Sequence, residues 1–344
     1  MSQPQTIESS PENDGPLLDL RSITVELPTA KGWVRPVNEV SLALASGESL
    51  GLVGESGSGK TMLALALVGL LPSGARSRGH AWFGSENGAG PTDLLSLADA
   101  DLPAVRGAKI GFVFQEPMTA LNPVMRVGAQ IAEAILAHRA GLGAKQARHE
   151  AIEALERVRV PEPALRARQY PHELSGGLRQ RAMIAMALAA GPRLLVADEP
   201  TTALDVTVQK EILELLSRLR REMHLSLLFI THDLGVVAQV AGRVAVMYAG
   251  RIVEVGPARE VLQRPRHPYT EGLLRASPQL GRRNLAPIAG NVPSLTALPP
   301  GCAFAPRCPY RKPECDARVP EPRPAGPGHS ARCILLSPGE GTPA

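Results

Sequence analysis

The stretch Leu50-Gly51-Leu52-Val53-Gly54-Glu55-Ser56-Gly57-Ser58-Gly59-Lys60-Thr61 decides the fold of this 344-residue chain. Its apolar start is typical of a short buried parallel strand, and the unbroken run 61–68 predicts a helix. Residues 54–61 fit G-x-x-x-x-G-K-[ST] without a mismatch. Between strand and helix, the glycines let backbone N–H groups point inward, and with the helix N-terminus they form a polyphosphate site. We therefore predict a nucleotide-binding loop; the alternative is a glycine-rich turn with an incidental lysine.

The predicted ATP contacts come from this loop, the residue that follows it and one tryptophan. They are Gly54, Glu55, Ser56, Gly57, Ser58, Gly59, Lys60, Thr61, Met62 and Trp33. Lys60 can reach the β- and γ-phosphates, and the Thr61 hydroxyl can bind Mg²⁺. We place Trp33 in a loop between two predicted strands, where it either stacks on adenine or packs on its own strand.

Composition sets the bounds of the interpretation. The chain is 44% hydrophobic, enough for one large domain with an appendage or for two domains. The net charge of +4 is too mild to choose between a membrane surface and nucleic acid as partner. The sequence shows no apolar run near the roughly 18 residues of a membrane span and no signal-peptide pattern. We therefore expect a cytosolic protein.

Several further segments surround the phosphate loop. Alternating residues at 18–25 and 37–44 predict antiparallel strands beside it. Residues 109–115 form a second apolar strand that ends in a glutamine, and 116–123 read as a proline-punctuated loop. Apolar residues at helical spacing from 127 to about 160 predict an α-helical insert.

Two polar clusters mark the second half of the chain. The segment Leu174-Ser175-Gly176-Gly177-Leu178-Arg179-Gln180-Arg181 offers an N-cap serine and open backbone N–H groups, a second anion site, before a predicted helix at 182–190. A buried strand at 193–198 ends in Asp198 and Glu199. Adjacent acids there are costly unless they serve a cation or a reacting water. A helix at 206–221 and a strand at 226–230, shortly before His232, follow.

Taken in order, these motifs resemble those of ABC-type ATPases over about 17–264, most of the chain. They are the phosphate loop at Gly54, Gln115, the segment 174–180, the Asp198-Glu199 pair, Asp205 and His232. The resemblance implies an α/β P-loop fold with a RecA-like core, an antiparallel β subdomain and an α-helical subdomain. We expect four parts: a disordered tail at 1–16, the nucleotide-binding domain at 17–264, a Cys/Pro-rich C-terminal extension at 265–336 and a disordered tail at 337–344.

The resemblance also implies roles for the motif residues. Thr61, Gln115 and Asp198 would hold Mg²⁺, and the catalytic residues would be Glu199, His232 and Gln115. Glu199 would deprotonate the attacking water (or only support the metal), and His232 would contact the γ-phosphate. The signature residues would complete the ATP site of a second subunit, and Asp205 would belong to the loop after the acidic pair. The signature set is Ser175, Gly176, Gly177 and Gln180.

Four further sequence segments resemble those of one branch of the family, the oligopeptide/dipeptide (and nickel) importer ATPases. These segments are 115–123, 266–274, 292–295 and 301–309. Leu27 departs from it, since many relatives carry an adenine-stacking aromatic there. The resemblance implies a peripheral ATPase at the cytoplasmic face of the inner membrane that energises peptide import. Its expected partners are two membrane permease subunits, a second, usually non-identical ATPase and an extracytoplasmic peptide-binding protein, but no nucleic acid.

Two alternatives stay open. The same ATPase role serves equally for nickel or another small solute, because this subunit never touches the cargo. A nucleic-acid-acting ABC ATPase is the other alternative. Such proteins usually carry two cassettes or long coiled-coil insertions, and this chain has one cassette.

Cys302, Cys308, Cys315 and Cys333 lie in the extension, separated by five, six and seventeen residues. Disulfides are disfavoured in the cytosol, and a zinc site usually shows a C-x₂₋₄-C pair, which is missing here. Four thiolates on wide loops can enclose a [4Fe–4S] cluster, although the spacing matches neither common ferredoxin pattern. The resemblance favours the cluster; zinc and reduced structural cysteines remain the alternatives.

Overall fold

The computed structural model describes residues 15–30, 32–84, 90–202, 204–277 and 287–336. The expected tail at 337–344 and all but the last two residues of the tail at 1–16 lie outside the described residues. Within the described ranges the chain forms two sheets and ten α-helices. None of those helices has the length and apolar character needed to cross a lipid bilayer.

One sheet has four strands in the order β2-β1-β4-β5, with every neighbouring pair antiparallel. The strands are β1 (Leu18–Thr29), β2 (Gly32–Leu44), β4 (Arg76–Phe83) and β5 (Thr92–Asp93). The predicted antiparallel pair is confirmed, with Leu20 opposite Leu42. The loop position of Trp33 was wrong: the hairpin between β1 and β2 is tight, so Trp33 lies in β2 opposite Pro28.

The main sheet has eight strands in the order β11-β12-β10-β9-β3-β8-β7-β6. The strands are β3 (Ser49–Val53), β6 (Ile110–Val113), β7 (Leu194–Asp198), β8 (Ser226–Thr231), β9 (Arg243–Tyr248), β10 (Arg251–Pro257), β11 (Arg323–Gly326) and β12 (His329–Ala331). Strands β9, β3, β8, β7 and β6 pair in parallel. Their carboxyl ends therefore share one edge, where the phosphate loop and the acidic pair follow.

The helices are α1 (Lys60–Leu67), α2 (Pro117–Ala120), α3 (Val127–His138), α4 (Ala144–Arg157), α5 (Pro163–Arg166), α6 (Gly176–Leu188), α7 (Val206–Glu222), α8 (Leu234–Val240), α9 (Ala258–Gln263) and α10 (Pro268–Ala276). The predicted helical insert corresponds to α3 and α4. Two expectations were wrong. The loop at 116–123 contains α2, which begins with Pro117 because proline suits the first helical turn. Helix α6 begins at Gly176 rather than Ala182 because Ser175 caps it there.

The cysteine-rich segment packs on the cassette instead of forming a core of its own. Strand β12 extends the main sheet by pairing with β10, where Ala331 lies opposite Glu254. Phe304 is 2% exposed, and its ring lies 5.4 Å from the rings of both Tyr248 and Tyr269. The apolar residues of the extension therefore join the core that the helices build on one face of the main sheet.

Candidate functional site

The phosphate loop runs from β3 to α1 and is pressed against neighbouring backbone. A Cβ at Gly54 would lie 2.1 Å from the Met247 carbonyl oxygen, and one at Gly59 would lie 1.9 Å from the Pro36 carbonyl oxygen. Gly59 also has a φ of +108°, which side chains rarely adopt. At these two positions the fold accepts only glycine.

Lys60 lies inside the loop and is 4% exposed. Its Nζ donates to the carbonyl oxygens of Gly54 at 2.7 Å and Glu55 at 3.1 Å. Burial lowers the pKa of Lys60, while the nearby acids, Glu199 first among them, oppose this shift. The loop thus has a buried cation at its centre, as phosphate binding requires.

A cavity of about 610 Å³ opens over the phosphate loop. It is lined by Pro36, Glu55, Ser56, Gly57, Gly59, Lys60, Thr61, Met62, Gln115, Glu199, His232 and Leu295. The structure therefore brings most of the predicted ATP and catalytic residues to one place. Pro36 and Leu295 line it too, although neither was predicted to contact ATP.

Trp33 does not line this cavity in the part of the chain that the structure describes. Its ring is 45% exposed and carries the Arg76 guanidinium 4.1 Å from the ring centroid. The geometry favours the alternative in which this tryptophan packs on its own sheet.

Asp198 ends β7 beneath the loop. It is 3% exposed, and burial raises the pKa of its carboxyl, although a hydrogen bond from Thr61 opposes the shift. Its Oδ1 atom is buried and has no hydrogen-bond partner within the described ranges. A buried oxygen without a donor, beside a threonine hydroxyl, fits a divalent cation that prefers oxygen ligands.

The neighbouring Glu199 is the meeting point of three side chains. Its Oε2 accepts from Thr202 Oγ1 at 2.8 Å, lies 3.2 Å from His232 Nδ1 and lies 3.4 Å from Gln115 Nε2. The hydrogen bond with His232 lowers the pKa of Glu199 and raises the pKa of His232. The φ of Glu199 is +45°, a strained conformation of the kind found at functional sites. Sequence reasoning missed Thr202.

The signature residues lie outside the phosphate cavity. Ser175 Oγ accepts from the Leu178 N–H at 3.4 Å and so caps α6. Gly176 and Gln180 line a separate cavity of about 160 Å³ next to Gln115. Asp205 caps α7 by accepting from the Val208 N–H at 3.0 Å. The signature is therefore not part of the ATP site that this chain builds with its own loop.

The four cysteines converge on one small cavity of about 20 Å³ and are free thiols. Burial raises the pKa of Cys302 to about 11 and also raises those of Cys308 and Cys333. In the positions that the structure gives them, no three His, Cys, Asp or Glu side chains of the described ranges form a group that could hold a metal ion. The cysteines are gathered, but they do not form a preformed single-ion site.

Comparison with known proteins agrees with this geometry. The family model for ABC transporters matches residues 37–202, and the model for the C-terminal region of oligopeptide/dipeptide transporters matches 253–315. A protein of Brucella melitensis biotype 1, whose name places it in peptide import, is 49% identical over 93% of this chain and 97% of its own length. The oligopeptide transport ATP-binding protein OppD of Salmonella typhimurium is 46% identical over 97% of this chain and 98% of its own.

Solved structures give the same result. A dimeric post-hydrolysis state of the ATP-binding cassette MJ0796, bound to ADP and Pi, superposes with a TM-score of 0.61 at 28% identity, covering 70% of this chain and 99% of that one. CbiO1 from Clostridium perfringens gives a TM-score of 0.60 at 25% identity, covering 73% and 92%. The chain belongs to the ABC transporter ATP-binding proteins of the oligopeptide/dipeptide import family, as the ATPase subunit that energises peptide import.

Proposed function

We propose that Glu199 is the general base that activates the water attacking ATP. The observation that carries this assignment is the position of its Oε2, held by Thr202, His232 and Gln115 at the rim of the phosphate cavity. The pKa of this carboxyl is lowered, so it is ionised and able to accept a proton at neutral pH. His232 fixes its orientation and lines the same cavity, where it would contact the γ-phosphate.

The remaining residues bind and orient ATP. The loop N–H groups and Lys60 hold the phosphates, while Thr61, Asp198 and Gln115 would hold Mg²⁺. The cation would offset charge on the β- and γ-phosphates. Asp198 suits this role because its buried Oδ1 lacks a donor within the described ranges.

A second ATPase chain completes the site in this proposal. Ser175, Gly176, Gly177 and Gln180 lie outside the phosphate cavity of their own chain and would face the nucleotide of the partner. The dimeric cassette among the structural neighbours supports this arrangement.

We propose 17–264 as the nucleotide-binding domain and 265–336 as an importer-type extension.

The other partners would lie in the membrane and outside it. Met118 is 48% exposed and Val124 is 80% exposed, just after Gln115. Exposed apolar side chains there suit contact with two permease subunits at the cytoplasmic face of the inner membrane. A binding protein outside the membrane would deliver the peptide.

The test of the base is Glu199→Gln in the assembled transporter. We expect ATP turnover to fall by about 100-fold or more while ATP still binds, so that an ATP-bound dimer accumulates. The matched control is Glu222→Gln, which changes a surface glutamate paired with Arg218 on α7. Unchanged turnover in Glu199→Gln would show that another group activates the water.

For the cysteine region we propose a [4Fe–4S] cluster, with zinc as the alternative. Four free thiols around one cavity provide the donor set that such a cluster takes. Because the cavity is only about 20 Å³, the loops must move apart to admit a cluster. Metal binding would lower the raised thiol pKa values by stabilising the thiolates.

Anaerobic purification with iron, zinc and acid-labile sulfide analysis tests this proposal. About four irons and four sulfides per chain, lost in Cys308→Ser, are expected for a cluster. One zinc without sulfide would select the alternative. Neither iron nor zinc would mean that the cysteines are reduced and structural, and the proposal would be wrong.

A further inference from the structure

The extension makes a direct ion pair with the phosphate loop. Arg307 Nη1 lies 2.7 Å from Glu55 Oε2, and Nη2 lies 3.1 Å from Glu55 Oε1. This bidentate contact joins residues that are 252 positions apart in the sequence. The Arg307 side chain is only 4% exposed and that of Glu55 is 29% exposed. A largely buried, bidentate pair of this kind is strong and geometrically specific.

Arg307 is itself held firmly. Its Nε donates to the Ala289 carbonyl oxygen at 3.1 Å, and Nη1 also donates to the Tyr248 hydroxyl at 3.3 Å. Its guanidinium carbon lies 5.9 Å from the centres of the Tyr248 and Phe304 rings. The guanidinium therefore has one well-defined position, set by the main sheet and by the extension together.

Glu55 is held at its backbone as well. Its N–H donates to the Tyr269 hydroxyl at 2.8 Å, and Tyr269 belongs to α10, the first helix after the predicted cassette. The Tyr269 ring packs against Tyr248 at 4.5 Å between ring centres. Both ends of Glu55 are thus attached to residues outside the phosphate loop.

The charge of the Glu55 carboxylate affects phosphate binding, because Glu55 lies at the phosphate cavity. Glu55 lines the cavity that takes the phosphates of ATP, in the middle of a loop whose backbone N–H groups bind them. A free carboxylate at this position would repel the phosphates, whereas one paired with a guanidinium contributes little net charge. Glu55 is therefore compatible with ATP binding only if its charge is offset.

We propose that Arg307 is a positioning residue for nucleotide binding, which neutralises Glu55 and holds its carboxylate away from the phosphates of the nucleotide. Arg307 lies between Cys302 and Cys308, on the short turn Ala305–Arg307. The loops that carry the cysteines therefore set the position of the guanidinium and, through it, of the phosphate loop. Nucleotide affinity depends on the extension although the ATPase motifs lie elsewhere.

A double-mutant cycle on the full chain tests this role. The dissociation constant for ADP with Mg²⁺ is measured by isothermal titration calorimetry, because ADP is not hydrolysed. We expect Arg307→Met to raise it about tenfold, since the unpaired Glu55 then faces the phosphates. In Glu55→Gln/Arg307→Met the repulsion is absent, and affinity should return to within about threefold of Glu55→Gln alone. Such rescue distinguishes a charge effect from general damage to the fold.

Arg311→Met is the matched control, because Arg311 lies in the same cysteine region but pairs with Asp316 at 2.8 Å on the surface. Its dissociation constant should stay within about twofold of the wild-type value. An unchanged value in Arg307→Met would overturn the proposal, and so would an equal loss in Arg307→Met and in the double variant. If Arg307→Met does not fold, Arg307→Gln replaces it in the same cycle with the same criteria.

Discussion

His267 provides a sharp test of how the extension is joined to the cassette. It is 2% exposed and caps α10, since its Nδ1 accepts from the Tyr269 N–H at 3.0 Å. The backbone N–H of His267 donates to Glu254 Oε2 at 2.9 Å. Burial lowers the pKa of His267 from 6.5 to about 4, against the opposing charge of Glu254. The folded protein therefore holds this imidazole neutral at a pH where the unfolded chain protonates it.

The sign and size of the effect follow from linkage. Between pH 6.5 and about 4 the unfolded chain binds one more proton at His267 than the folded chain does, so stability is lost as the pH falls through this window. From pH 7 to pH 5 the loss is about 2 kcal/mol of unfolding free energy. Because the side chain is almost fully buried, solvent screening does not reduce this value much.

The perturbation that isolates this group is His267→Asn. Asparagine is a good N-cap that can accept from the Tyr269 N–H, but it does not titrate. Urea unfolding at pH 7 and pH 5 should show the wild-type chain losing about 2 kcal/mol more than His267→Asn. Glu254 is present in both proteins, so the difference between them reports on His267.

The control is His149→Asn, at an exposed histidine of α4 that lies 3.4 Å from Glu153. It should keep the full pH dependence of the wild-type chain. If His267→Asn lost as much stability as the wild type between pH 7 and pH 5, burial of a neutral imidazole at this position would be refuted.

Two further predictions concern the core and the catalytic pair. Phe304→Ala should lower the unfolding free energy by about 3–5 kcal/mol in urea titrations, because removing this buried ring leaves a cavity in the core. Tyr310→Ala, at a 44% exposed ring, should change it by under about 1 kcal/mol. The pKa of His232, followed by NMR, should lie above 6.5 in the wild type and fall in Glu199→Gln, since the hydrogen bond with Glu199 raises it; no change would contradict the pairing.

Much of the cassette could be predicted from local sequence. The strand before Gly54 and the helix after it are confirmed by β3 and α1, because apolar runs and the glycine loop act over a few residues. The predicted start of α6 is too late in the chain because the apolar run begins only at Ala182, whereas the cap at Ser175 decides where the helix begins. Trp33 was placed in a loop because no periodicity marks how far a strand extends into a tight hairpin.

By itself, the sequence determined the nucleotide-binding loop, the order of the ATPase motifs and the importer-type tail, since each depends on residues close together in the chain. Only the tertiary structure decided that Arg307 pairs with Glu55 and that Leu295 lines the ATP cavity. The physical reason is the separation of the residues along the chain. Periodicity and turn chemistry act between residues that are close together in sequence. A contact across 252 positions forms only after the sheet and its packed helices have brought the two side chains together.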